Sequence, residues 1–398
     1  MAQTRIETKA DPVALAATLR PLLARNATQV ERDRRLCDEN VEALEAANLF
    51  KVMVPRRWGG YGAPLSTTLR TFAELAKGCS SSGWVTMIIG GVTYYASLLP
   101  DRGQEEIFAD PANSRVCGAG SATSIGQRMD GGLRISGKFP FASGCWHSSW
   151  GVLTVQIEDD THKVVDQVMA FAPMSELEIE DTWFVAGMCG TGSNTLVAKD
   201  VFVPDHRVLL MSKILNGEHS ARRHSGEPSD NYAFAPAIAL IGLSPVIGIA
   251  QAMLEKVIEG TRTRGITFTT YTRQADAPVV QHQIAEAALK IDSAWLQTMR
   301  AADEVEDTAR AGSQMGYLAR ARVRGVVGYA ARLIREAIDA LISIGGASGF
   351  ADSSPLQRMW RVAMLASRDR DSRSRATRQR DDEDPWTTGS RSCVRLIV

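Results

Sequence analysis

The stretch Gly131–Trp150, GGLRISGKFPFASGCWHSSW, decides how the rest of the chain is read. Gly131-Gly132 signals a turn, and Leu133 to Phe141 has the extended character of a strand. Strand side chains alternate between faces, so Leu133, Ile135, Phe139, Phe141 and Ser143 are expected on one side. Two aromatic rings and one hydroxyl on a shared face suit a flat apolar ligand with a hydrogen bond at its edge. The same pattern also suits a half-buried antiparallel strand whose aromatics fill a core.

Outward from this stretch the periodicity changes twice. From about Asp11 to Pro111 the pattern is helical: Asp11-Pro12 reads as an N-cap with proline at the first helical position, and VPRRWGGYGAP (Val54–Pro64) reads as a loop. Between Arg115 and about Leu210 come short candidate strands, namely Arg115–Gly118, Gly132–Phe141, Val152–Ile157, Val164–Ala172, Leu177–Phe184 and Thr195–Val203. A polar linker, His219 to Asn231, precedes a second helical region. There Val246, Ile249, Ala250, Met253, Leu254, Val257 and Ile258 form one apolar stripe. Two more helices are expected at 280–308 and 316–344, the last ended by Gly345-Gly346. The fold class is therefore α+β, with an N-terminal helical domain (1–112), a central β-barrel-like domain (113–215) and a C-terminal helical bundle (232–367). Residues 368–398 form an atypical charged tail. Arg368 to Asp384 holds 12 charged residues in 17, six of each sign, so a poorly ordered tail and a bundle seam left uncovered are expected.

Lys+Arg 45 against Asp+Glu 45 gives no electrostatic case for nucleic acid or an anionic membrane. The six cysteines (Cys37, Cys79, Cys117, Cys145, Cys189, Cys393) contain no CxxC pair, so neither a metal site nor a disulfide framework is expected. The opening MAQTRIETKAD has no apolar signal region and no later run is read as transmembrane, which predicts a cytoplasmic protein.

Several motifs stand in the order helical, β, helical. They are Val54-Pro55 with Gly59-Gly60-Tyr61-Gly62, then Gly187-Met188 with Gly190-Thr191-Gly192-Ser193, then Asp200-Val201-Phe202-Val203-Pro204, and last Gly345-Gly346, Gly349, Pro355-Leu356, Arg358 and Arg361. Together they resemble the acyl-CoA dehydrogenase fold as far as about residue 361. Ser81-Ser82-Gly83-Trp84-Val85 and the Gly132, Arg134, Ser136-Gly137, Phe141, Ser143-Gly144, His147-Ser148, Trp150 run resemble one branch of it, the two-component flavin-dependent monooxygenases. That branch includes 4-hydroxyphenylacetate, aromatic polyketide and indole hydroxylases and the nitrososynthases.

The resemblance implies an oxygenase component, with a separate flavin reductase supplying reduced flavin (FMN or FAD) by diffusion. O2 is the co-substrate, a C4a-hydroperoxyflavin the oxidant and a small aromatic compound the substrate, and the resemblance also implies a homotetramer. It also implies site residues. Phe141 and Ser143 stand at the spacing of the pair flanking the flavin ring, with Ser143 near N5; Ser143 is equally suited to a local turn before Gly144. Trp84 would line the pocket or simply pack, and His147 would act as a base or orient a loop. Arg264 and Gln281 resemble the pair that reaches the flavin phosphates, and Gly345 and Gly346 would let backbone approach a neighbouring subunit's cofactor or cap a helix. Gly120 and Ser121 are further cofactor candidates, in Val116-Cys117-Gly118-Ala119-Gly120-Ser121, where dehydrogenases carry Thr-Glu-Pro. Val92 stands where some phenol hydroxylases have a substrate-binding histidine, Val362 follows Arg361 where the family has aspartate, and Asp369 replaces a frequent histidine. An acyl-CoA dehydrogenase, which needs a carboxylate base in or near its final helices, and an amino-sugar nitrososynthase are the alternatives.

Overall fold

A computed structural model describes residues 11–379 apart from 119, 123 and 225, with the backbone alone for 222, 223 and 369–379. The N-terminal helices are α1 (Pro12–Asp33), α2 (Asp38–Ala46), α3 (Leu65–Gly78), α4 (Ser80–Ala96) and α5 (Asp101–Phe108). Asp11 caps α1 as the sequence predicts, its carboxylate accepting from the Val13 amide at 3.0 Å. Helix α4 carries no charged residue and is buried almost all round, the mark of a helix that must be covered by other elements on every side.

Among the described residues eight strands follow: β1 (Val116–Gly118), β2 (Ser124–Met129), β3 (Gly132–Phe139), β4 (Trp150–Glu158), β5 (Val164–Pro173), β6 (Leu177–Glu180), β7 (Thr195–Pro204) and β8 (Val208–Leu210). Their order in the sheet is β6-β7-β3-β2-β4-β5-β8, with β1 added parallel to β4. Two of these strands, β2 and β8, are missing from the sequence reading. Strand β2 is mostly exposed and polar, so it has no apolar alternation to show, and β8 has three residues. The extra residue in β7 is Asp200, at φ 59, whose amide bonds the Ser136 hydroxyl at 2.9 Å.

The chain returns to helix with α6 (Met211–Leu215), α7 (Phe234–Thr261), α8 (Pro278–Arg310), α9 (Tyr317–Gly345) and α10 (Pro355–Gln379). The expected linker is docked rather than free: Asp230 is fully buried against Arg57 at 2.9 Å, and Tyr94 donates to the Ser229 carbonyl at 2.6 Å. Helix α7 starts well before the stripe at Val246 because Pro245 is tolerated inside it. Proline supplies no amide for the Ile241 carbonyl four residues back, and the Ser244 hydroxyl takes that carbonyl instead at 2.7 Å. Against the sequence reading, α7 is long and apolar enough to cross a membrane, yet 78% of its most apolar window is buried inside the protein. It is the core helix of the bundle.

The expectation of an uncovered seam is also corrected. Leu356, Met359, Val362, Ala363 and Ala366 are buried along one side of α10, stepping by three and four against α9 and α7. The apolar stripe is complete before the charged run begins at Arg368, and Val362 is a core residue where the resemblance has aspartate. The helix continues to Gln379, past the start of the segment expected to lack order; the rest of that segment lies outside the described residues.

The β domain meets α4 through three glycines placed over one face of that helix. A Cβ on Gly190 would lie 2.4 Å from Val30 Cγ1 and 2.9 Å from Ser81 Oγ; on Gly144, 3.0 Å from Val85 and Ile89; on Gly118, 2.8 Å from Val152 with Val92 behind it. Ser81, Val85, Ile89 and Val92 follow one another along α4 at steps of four, four and three. Gly190→Ala is expected to destabilise the protein by about 3 kcal/mol, because backbone of α1 stands in the way, and Gly118→Ala by about 1–3 kcal/mol. Gly131→Ala, at φ 75 with open space around it, should cost about 1 kcal/mol. Urea midpoints of the three variants give the ranking, and equal losses at Gly190 and Gly131 would contradict the close packing of Gly190 between α1 and α4.

Candidate functional site

Strand β3 ends at Phe139, two residues short of the expected end. Beyond Pro140 the backbone of Phe141 turns left-handed at φ 69, and the Ser143 amide bonds the Phe141 carbonyl at 2.9 Å. Phe141 and Ser143 therefore do not continue the buried face of Leu133, Ile135 and Phe139. The turn separates them: the Phe141 ring is 60% exposed, whereas Ser143 is 5% exposed. A phenylalanine held in this conformation costs about 1–3 kcal/mol, and such strain clusters where ligands are clamped.

The turn is stitched to the loop before β7. The Ala142 amide bonds the Asn194 carbonyl and the Gly144 amide the Thr191 carbonyl, both at 3.0 Å. Side chains add a second layer. Ser143 Oγ lies 2.6 Å from Ser193 Oγ, which lies 2.6 Å from Thr191 Oγ1, which donates to the Met188 carbonyl at 2.8 Å. All three hydroxyl residues are buried. The Met188 carbonyl also accepts from the Thr191 amide at 3.0 Å and from the Trp183 indole at 2.9 Å. Trp183 in turn stands edge-on to Phe141, ring centroids 5.9 Å apart, and its amide is held by Asn194 Oδ1 at 3.0 Å.

Other candidates fall around this centre. Trp84 is buried in α4 beside Val85, the residue that meets Gly144. His147 closes a short 3-10 turn, Cys145–His147, and is 8% exposed. Burial, with Arg35 and Arg115 nearby, lowers its pKa to about 4, so the imidazole is neutral at physiological pH. Its Nε2 is buried with no hydrogen-bond partner among the described residues. Trp146, 47% exposed, reaches toward Gly192.

Arg264, Gln281, Gly345 and Gly346 form a second cluster. Arg264 and Gln281 are exposed at either end of the loop between α7 and α8, which the Gln274 amide closes onto the Arg264 carbonyl at 2.6 Å. The Gln274 side chain bonds the Ile344 carbonyl at 3.3 Å, bringing that loop to the end of α9. Gly345 lies against Leu356, and Gly346 takes φ 60, ψ −163, a conformation open to glycine alone. Gly120 and Ser121 are exposed between β1 and β2.

These residues fit a flavin. The strained, exposed Phe141 ring offers a flat face, the buried Ser143 hydroxyl lies one turn away, and exposed Arg264 has the fork that binds phosphate. The sequence reading missed Trp183, Ser193, Met188 and Asn194 as parts of the site. The Thr191-Gly192-Ser193 hydroxyl pair was a visible signal, but its partner Ser143 stands fifty residues away.

Residues 240–368 match the family described as acyl-CoA dehydrogenase, C-terminal domain. The oxygenase subunit HsaA of a flavin-dependent monooxygenase from Rhodococcus jostii is 31% identical over 345 residues, covering 87% of this chain and 90% of that protein. The oxygenase component of an FADH(2)-dependent resorcinol hydroxylase from Rhizobium sp. is 30% identical, with 89% of each chain covered. Among solved structures, XiaF from Streptomyces sp. in complex with FADH2 and glycerol superposes with a TM-score of 0.85 at 31% identity, over 93% of this chain and 96% of that one. With the fold, the strained aromatic turn and its buried hydroxyls in agreement, the chain belongs to the flavin-dependent monooxygenases of the acyl-CoA dehydrogenase fold, as an oxygenase component that uses reduced flavin.

Proposed function

We propose that this oxygenase component hydroxylates a small, flat aromatic compound, phenolic or indolic, with reduced flavin delivered by a separate reductase. The observation that carries the reading is the Phe141 turn, which sets an exposed ring beside a buried hydroxyl. Reduced flavin, when bound, supplies the activation of O2; the protein's part is to bind, orient and keep water out. Phe141, backed by Trp183, would orient the flavin ring. Ser143 would hold the proton at N5, and the packed turn and loop over α4 would exclude water from that edge. Trp84 would support this floor from within α4, and neutral His147 would serve as a hydrogen-bond partner rather than a cation.

Trp146 and Phe184 are exposed, each on a segment that also carries a site aromatic, Phe141 and Trp183, and this favours an aromatic substrate. The resorcinol hydroxylase among the relatives supports the same class. The side chains bonded to Ser143 and its relay are neutral, which disfavours proton abstraction from an acyl thioester at this point. We further propose a cytoplasmic homotetramer in which Arg264, Gln281 and the Gly345-Gly346 end of α9 bind flavin phosphate, with Gly120 and Ser121 at the ring's other edge.

Anaerobic titration tests the cofactor reading: reduced FMN or FAD should bind more tightly than the oxidised form, and tightly held oxidised FAD reduced by an acyl-CoA would overturn it. With a reductase and NADH present, phenols and indoles should yield oxygenated products, while a clear preference for an amino-sugar nucleotide would refute the substrate class. His147 sets an acid limit. Its pKa falls from 6.5 unfolded to about 4 folded, so the unfolded chain takes the proton first as pH drops. The stabilisation is complete above pH 6.5 and is lost between 6.5 and about 4, on the order of 3 kcal/mol. His147→Gln should flatten that part of the stability profile in urea titrations, and an unchanged slope would show that the imidazole is not buried neutral.

A further inference from the structure

We propose that Thr191 and Ser193 are positioning residues that fix the direction of the Ser143 hydroxyl, so that it can accept a hydrogen bond from the flavin but not donate one. The inference rests on the flavin reading above. It follows from counting protons along the three hydroxyls. The Met188 carbonyl has no proton to give, so Thr191 must donate its single hydroxyl proton across the 2.8 Å contact. Thr191 Oγ1 can then only accept from Ser193, 2.6 Å away, and this uses Ser193's single proton. Ser193 Oγ can then only accept from Ser143, again at 2.6 Å. The Ser143 proton is committed inward, and its lone pairs are the only hydrogen-bonding capacity it has left for a ligand.

Reversing this chain would leave Thr191 Oγ1 facing the Met188 carbonyl lone pair to lone pair. That carbonyl is pinned by the Trp183 indole and the Thr191 amide, so it cannot turn away. All three hydroxyls are buried, so water does not offer a substitute donor. Reduced flavin carries a hydrogen on N5 and is a donor there; oxidised flavin has a bare N5 and is an acceptor. A Ser143 that can only accept matches the first and opposes the second. The relay thus discriminates between the two redox states at one atom, favouring capture of the reduced flavin and release of the oxidised one.

The test is the ratio of dissociation constants for oxidised and reduced FMN, measured by anaerobic fluorescence titration on the native chain and on Ser193→Ala, Thr191→Val and Thr191→Ser. Ser193→Ala and Thr191→Val free the Ser143 proton, so oxidised FMN should bind better and the ratio should fall on the order of tenfold. A tenfold fall corresponds to a drop of about 30 mV in the reduction potential of the bound two-electron couple, because the reduced form loses its binding advantage. Thr191→Ser keeps the hydroxyl and should keep the native ratio. A merely structural role would weaken both redox forms in parallel and leave the ratio unchanged in both relay variants, which would overturn the inference while the native preference for reduced flavin stands. A native chain without that preference would overturn the flavin reading and the inference together, and Thr191→Val decides the matter should Ser193→Ala fail to fold.

Discussion

Helix α4 imposes the constraint from which the site's layout follows. It has no charged side chain from Ser80 to Ala96, so no side of it is suited to water, and each must be covered by another element. Helices α3 and α7 cover part of it. The face marked by Ser81, Val85, Ile89 and Val92 is covered by the β domain, and the approach is so close that glycine stands at Gly190, Gly144 and Gly118. Two of these glycines belong to the segments that carry Thr191–Ser193 and Phe141–Ser143. Covering a hydrophobic helix and placing the hydroxyls are therefore one act of packing.

Within that packing, Trp183 joins the apolar and polar halves of the site. Its ring meets Phe141 edge-on while its indole donates to the Met188 carbonyl that terminates the hydroxyl relay. A shift of Trp183 would move the aromatic face and the relay's fixed end together. Asn194 opposes such a shift, its side-chain oxygen holding the amides of Thr182 and Trp183 and its carbonyl holding Ala142. Preorganisation of this kind is what a cofactor-using enzyme contributes, since the flavin brings the reactivity.

The architecture was legible in the sequence because its periods are clear: helical stripes, a strand-rich middle, then long helices again. The local geometry of the site was not. Period-two alternation carried past Pro140 puts Phe141 and Ser143 on the face of Phe139, and only a left-handed residue at 141 undoes it. Ser143 and Ser193 pair because the segments around β3 and β7 are neighbours in space, which no local pattern encodes. At the C-terminus the error ran the other way. The charge density after Arg368 hid a complete apolar stripe at Leu356, Met359, Val362, Ala363 and Ala366.

That stripe matters to the site as well as to the bundle. Docked on α9 and α7, α10 carries Arg361 to the loop before β7, where its guanidinium bonds the Ala186 carbonyl and the Glu31 carboxylate, the latter at 2.7 Å. Gly187 lies so close beneath that a Cβ there would come within 2.8 Å of the Arg361 carbonyl. Arg34 holds the same loop from α1, paired with Asp181 at 2.7 Å and stacked 4.0 Å from the Phe184 ring. The loop that carries Trp183, Met188, Thr191 and Ser193 is thus clamped between α10 and the end of α1. Bundle assembly and hydroxyl alignment are coupled through it, because the segment that ends in Met188 is held in part by Arg361 of α10.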